Sequence, residues 1–123
     1  MTKQNMDYQQ LDAAVAAIKK QWPDAKPACG MILGSGWSDV AEALEIRGTM
    51  SYTEIPGLGA TSVVGHAGRL VWGTSSGMEV FVFQGRRHWY EGEGWTPIAL
   101  PLYTLKRFGA RAVTLTNAAG GIN

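Results

Sequence analysis

The sequence has 123 residues, 46% of them hydrophobic, and its 11 Lys and Arg against 10 Asp and Glu leave a formal net charge of +1. That length fits one domain able to bury roughly two thirds of its unfolded surface, and the near-neutral balance argues against a polyanion groove and so against nucleic acid as a partner. The single cysteine, Cys29, lacks an internal disulfide partner and reads as a small buried hydrophobe in the run ACGMIL; with neither a signal peptide nor an apolar run near the ~18 residues of a spanning helix, the expected compartment is the cytoplasm.

In chain order, Tyr8, Leu11, Val15, Ile18 and Trp22 recur at helical spacing and place one apolar face on a helix that Pro23 ends. ACGMILGSGWSDVAEAL then predicts a short apolar strand, a glycine-flanked turn and a second helix opening near Trp37 to Asp39. GRLVWG and MEVFVFQG, joined by TSSG, read as a hairpin with Ser75, Ser76 and Gly77 in the turn. Between Gly94 and Gly109 the pattern is helical again, with Thr96 as N-cap, Pro97 at the first helical position, Gly109 as the stop and Pro101 placed to kink or interrupt it. Val113 and Leu115 alternate with threonines in a last strand that runs into NAAGG. With no repeat, low-complexity tract or linker, these elements make one α/β unit.

Four stretches beside the predicted strands carry chemistry. LGSGWS, Leu33 to Ser38, is a strand-to-helix turn in which backbone N–H groups and the Ser35 hydroxyl can meet an anion. Without a third glycine at position 39 it is not the dinucleotide fingerprint, and many tight turns look the same. In VVGHAGRL, His66 lies between Gly65 and Gly68, on a loop before a strand; a lone loop histidine is as a rule a surface residue unless other groups join it. FQGRRHWYEGEG crowds Arg86, Arg87, His88, Tyr90 and Glu91 into a glycine-bounded loop. It reads either as a solvated charged loop or as a place where Arg86, just after a strand, presents its planar fork to phosphate. NAAGG offers a backbone N–H at Ala118 and glycines that leave room for a flat ligand. If the strands are neighbours, the four stretches meet at one edge of the sheet.

LGSGWS, VVGHAGRLVWG, QGRRHWYEG and LTNAAGGIN, in this order and at these spacings, resemble the N-terminal half of the trimeric purine nucleoside phosphorylases, from about Cys29 to the end of the chain. The resemblance implies a partial phosphorylase fold, a mixed central sheet flanked by helices, cut after the strand leading into NAAGG. Residues 1–123 would then be a single N-terminal portion of a phosphorylase domain whose C-terminal half is absent. Carried over to this sequence, the family's phosphate ligands are Ser35, His66, Arg86 and the Ala118 amide; His88 and Tyr90 lie on the ribose side as catalytic residues, and Ala119 and Gly120 border the purine. Glu91 matches the motif as a residue that orients its neighbours. Arg87 and Trp37 depart from the family pattern without removing a motif residue.

The implied reaction is phosphorolysis of purine (deoxy)ribonucleosides to free base and (deoxy)ribose 1-phosphate, with inorganic phosphate as co-substrate and neither cofactor nor metal. The implied assembly for the full-length family is a homotrimer. His88 in RRHWYEG points to ordinary nucleosides and away from the related methylthioadenosine phosphorylases, and 6-oxopurines are the family's usual choice. Two readings from other classes stand beside this one: a stand-alone phosphate- or nucleotide-binding module without catalysis, and an interaction protein that docks to a full-length phosphorylase.

Overall fold

Residues 8–33, 38–58, 68–85 and 96–115 are described by the computed structural model. The first helix, α1 (Tyr8–Gln21), buries Leu11, Ala14, Val15 and Ile18, and its basic Lys19 and Lys20 suit the negative end of the helix dipole. Trp22 closes the same face, its amide donating to the Ile18 carbonyl at 2.9 Å. Tyr8, expected on that face, is 58% exposed; it starts the helix, and its ring meets that of Tyr103 edge-on with centroids 6.2 Å apart.

The strands are β1 (Cys29–Leu33), β2 (Glu45–Ser51), β3 (Arg69–Ser75), β4 (Met78–Gln84) and β5 (Ala112–Leu115), arranged in one sheet in the order β2-β3-β4-β1-β5. β2, β3 and β4 pair antiparallel, whereas β1 runs parallel to both β4 and β5, which makes the sheet mixed. The β3–β4 hairpin turns on Ser76 (φ 53°) and Gly77 (φ 81°), both left-handed as a two-residue turn of the primed kind requires. Along β4, Phe81 and Phe83 enter one core cluster while Val80 and Val82 enter another, so the strand is buried on both faces. The first cluster, between the sheet and the two helices, also holds Leu11, Ile18, Trp22, Leu70 and Leu100.

The second predicted helix is a correction. Ser38–Ala43 forms only a 3-10 helix of six residues, because after Leu44 the chain enters β2, whose pairing with β3 overrides the helical propensity of DVAEAL. β2 itself had no sequence signal. It lies at the sheet edge with Met50 as its one buried side chain, and a bulge at Arg47, between the pairs Ile46↔Gly73 and Gly48↔Trp72, breaks its alternation. A second short 3-10 helix, Tyr52–Glu54, follows it.

The last helix, α2 (Thr96–Arg107), continues through Pro101, which forgoes one intrahelical bond without ending the helix. It stops at Gly109 (φ 87°) in a Schellman arrangement: the Ala110 amide donates to the Leu105 carbonyl at 2.9 Å and the Gly109 amide to Lys106 at 3.0 Å. Leu105 sits so close to β1 that a Cβ on Gly30 would lie 2.3 Å from its side chain. Cys29 is half-buried, with its Sγ 3.8 Å from the Met78 sulfur. β5 is exposed along its whole length and forms the sheet edge opposite β2.

Candidate functional site

Ser35, His66, Arg86, His88, Tyr90, Ala118, Ala119 and Gly120 all lie outside the described residues, as does Glu91. What the structure does place are the strand ends from which their loops spring. β1, β4 and β5 are parallel, so their C-terminal residues Leu33, Gln84 and Leu115 share one end of the sheet; Leu33 pairs with Gln84, and Ile32 with Leu115. β3 runs the other way, and its first residue, Arg69, pairs with Gln84 at that same end. Ser35 and Arg86 each follow their strand end by two residues, Ala118 follows by three, and His66 precedes Arg69 by three. An extended chain covers roughly 3.3 Å per residue, so a tether of three residues spans at most about 10 Å.

This row coincides with a change in strand order. β1 has β4 on one side and β5 on the other, and in open α/β sheets the crevice at the C-terminal ends of strands, where order reverses, is where ligands bind. The loop after β1 does not lead into an α-helix, however. A six-residue 3-10 helix supplies less aligned dipole than several α-helical turns.

Side chains at the row's foot are tied together. The Arg69 Nε donates to the Gln84 side-chain oxygen, and its guanidinium also pairs with Glu42 at 2.7 Å. Gln84 is 7% exposed, so this cross-strand bond sits at the buried border of the site. The Gly85 amide donates to the Leu33 carbonyl at 3.3 Å, extending the β1–β4 ladder one step past the strand. Tyr52, buried in the first core cluster, donates its phenol to the Gly85 carbonyl at 2.7 Å. Sequence reasoning passed over Arg69, Gln84, Glu42 and Tyr52. Of these, only the neighbourhood of Tyr52 carried a readable sign, the S-x-x-E capping box of Ser51 and Glu54.

The described titrating groups with displaced pKa values lie elsewhere. Hydrogen bonding to the Lys26 amide holds the Glu79 carboxyl below its usual value at the far end of β4, and Asp12 raises the Tyr103 phenol on the α1–α2 face. Among the described residues, no group of three or more His, Cys, Asp or Glu side chains could hold a metal ion, and no helix is long and apolar enough to cross a membrane.

The strand order and the shared end of β1, β4 and β5 define an α/β protein with a mixed five-stranded sheet. No protein-family model matches the chain. Purine nucleoside phosphorylase 1 of Bacillus subtilis is 41% identical over 113 residues, covering 92% of this chain and 41% of that relative. The Bos taurus purine nucleoside phosphorylase is 37% identical over 100 residues, 81% of this chain and 35% of the relative. The crystal structure of the Schistosoma mansoni purine nucleoside phosphorylase in complex with inosine superposes with a TM-score of 0.80 at 38% identity, covering 100% of this chain and 41% of that one. The chain is therefore a homologue of the purine nucleoside phosphorylases, spanning about two fifths of the length of the two Bacillus and Geobacillus relatives.

Proposed function

We propose that residues 1–123 are the N-terminal portion of a purine-nucleoside phosphorylase domain, the part that holds phosphate and ribose during phosphorolysis of purine (deoxy)ribonucleosides. The observation that carries this reading is the common exit of four motif-bearing segments at one end of the sheet. In this reading the Ser35 hydroxyl, the His66 imidazole, the Arg86 guanidinium and the Ala118 amide cradle the phosphate. His88 and Tyr90 orient the sugar, and Ala119 and Gly120 lie along the purine. The S. mansoni homologue was crystallised with inosine, which supports a purine nucleoside as the substrate class.

The chemistry asks for positioning and charge. A phosphate oxygen forms a bond to the anomeric carbon as the bond from that carbon to the purine nitrogen breaks, the electron pair leaving with the base. Positive charge develops on the sugar in between, beside a dianion already oriented by the cradle. No covalent enzyme intermediate, metal or organic cofactor enters this scheme, and the donor set of hydroxyl, imidazole, guanidinium and amide is one for an oxyanion. Assembly as a homotrimer and a cytoplasmic location belong to the same proposal.

Calorimetric titration with orthophosphate tests it. Arg86→Ala abolishes binding, since each hydrogen bond to the charged ligand contributes about 1.5–3 kcal/mol, while Arg87→Ala changes it little. Equal losses from the two substitutions would mean a diffuse basic loop and overturn the assignment. An assay of inosine with phosphate, run beside the titration, separates an enzyme portion from a binding module: the present reading expects turnover only when the C-terminal half of a homologous phosphorylase is added.

A further inference from the structure

We propose that Tyr52 is a positioning residue for the phosphate site, a strut that sets the separation between the stem of the His66 loop and the stem of the Arg86 loop; this rests on the site assigned under Proposed function. The Tyr52 amide donates to the Gly68 carbonyl at 3.0 Å and its phenol donates to the Gly85 carbonyl at 2.7 Å. Gly68 stands two residues after His66, and Gly85 directly before Arg86. One residue thus holds both stems, one through its backbone and the other through its side chain. The Gly85 amide then donates to the Leu33 carbonyl at 3.3 Å, which connects the strut to the stem that leads to Ser35.

The strut is rigid at both ends. Its ring is 1% exposed in the core cluster that includes Phe83 and Leu70. Its backbone is fixed by the capping box, in which the Ser51 side chain accepts from the Thr53 amide at 3.2 Å and the Ser51 amide donates to the Glu54 carboxylate at 3.0 Å. A buried tyrosine needs a partner for its hydroxyl, and many would serve. Here the partner is the last carbonyl before a ligand loop, at a glycine with φ 102°, and a parallel bond between Arg69 and Gln84 joins the same two strands one step further in. Fixing the stems fixes the spacing from which the two loop segments start, so less of it has to be ordered when an anion binds.

Tyr52→Phe removes the hydroxyl and keeps the ring and the amide bond. Its phosphate dissociation constant should rise by up to about fivefold, a ceiling set by the loss of one hydrogen bond. Ile55→Val, a nearby core trim, serves as the stability control and should leave phosphate affinity unchanged however far it lowers the melting temperature. Equal affinities for Tyr52→Phe and the unaltered chain would overturn the proposal, as would losses in the two variants that simply follow their melting temperatures. If the unaltered chain binds no orthophosphate, the site assignment has failed on its own, and the strut is read from hydrogen exchange. Faster exchange of the Gly85 amide in Tyr52→Phe than in Ile55→Val supports the strut, and identical rates overturn it.

Discussion

Replacing Glu79 with alanine should reach the candidate site from the far end of the sheet. The Glu79 carboxylate accepts from the Lys26 amide at 2.9 Å and from the Trp72 indole N–H at 2.9 Å, tying the segment between α1 and β1 to the hairpin. Hydrogen bonds to a charged group contribute about 1.5–3 kcal/mol when shielded, but water reaches this carboxylate and reduces each to about 1 kcal/mol, so Glu79→Ala costs about 2 kcal/mol at pH 7. For a chain of this size that lowers the melting temperature by about 8 °C.

The pH dependence supplies the sharper test. Hydrogen bonding to the Lys26 amide, against an opposing effect of partial burial, holds the carboxyl below its usual 4.5. The folded state therefore favours the ionised form. Its stabilisation is complete above the usual value and disappears as pH falls through the lower folded-state value. Urea denaturation of both proteins, at pH 7 and at steps downward from pH 5, should show two stability curves that converge in acid. A loss under about 0.5 kcal/mol at pH 7, or a gap that stays constant to the lowest pH at which both fold, refutes the reasoning. The consequence for the site follows from register. Next to this tie the parallel pairing begins at Cys29↔Val80 and runs to Leu33↔Gln84, so a slip of one residue would shift the stem of the Ser35 loop by about 3.3 Å against that of Arg86.

Three further substitutions test the packing. Gly30→Ala drives a methyl into Leu105, which is 3% exposed and has little room to yield, and should cost about 1–3 kcal/mol by thermal denaturation. Thr104 is fully buried and its hydroxyl has no hydrogen-bond partner among the described residues, so Thr104→Val should leave stability unchanged or raise it by about 1 kcal/mol. Val113 and Leu115 are 40% and 55% exposed on the edge strand β5; Leu115→Lys should reduce concentration-dependent association in sedimentation experiments, and an unchanged mass distribution would show that this edge does not mediate it.

How much of this was legible depended on the range over which each feature is determined. α1 and the hairpin were readable because their signals are local: Leu11, Val15, Ile18 and Trp22 repeat along one helical face, and Ser76-Gly77 supplies the two left-handed positions its turn demands. Gly109 marked the end of α2 for the same reason. β2 was hidden because edge exposure and the bulge at Arg47 erase the alternation that announces a strand. DVAEAL misled because its helical propensity is worth a few tenths of a kcal/mol per residue, less than the ladder that the next seven residues make with β3.

The loops themselves were legible as glycine-bounded clusters of donors, but the order of the strands that lead to them was not. It depends on β1 inserting between β4 and β5, a pairing of segments some fifty and eighty positions away along the chain, and no local pattern encodes a neighbour at that distance. Tyr52 shows the same limit in one side chain. Nothing in SYTEIPG says that the phenol will find a carbonyl 33 residues later, yet the bond follows once the β3–β4 hairpin folds β4 back along β3. Gly68 and Gly85 flank the cross-strand pair Arg69↔Gln84, so a residue leaving β2 beside Arg69 arrives within reach of both. The two stems are thus joined by the geometry of the antiparallel sheet, and the parallel strands β1 and β5 place Leu33 and Leu115 at the same end. Both kinds of pairing are therefore needed to set the four strand ends in one row, and the mixed order supplies both.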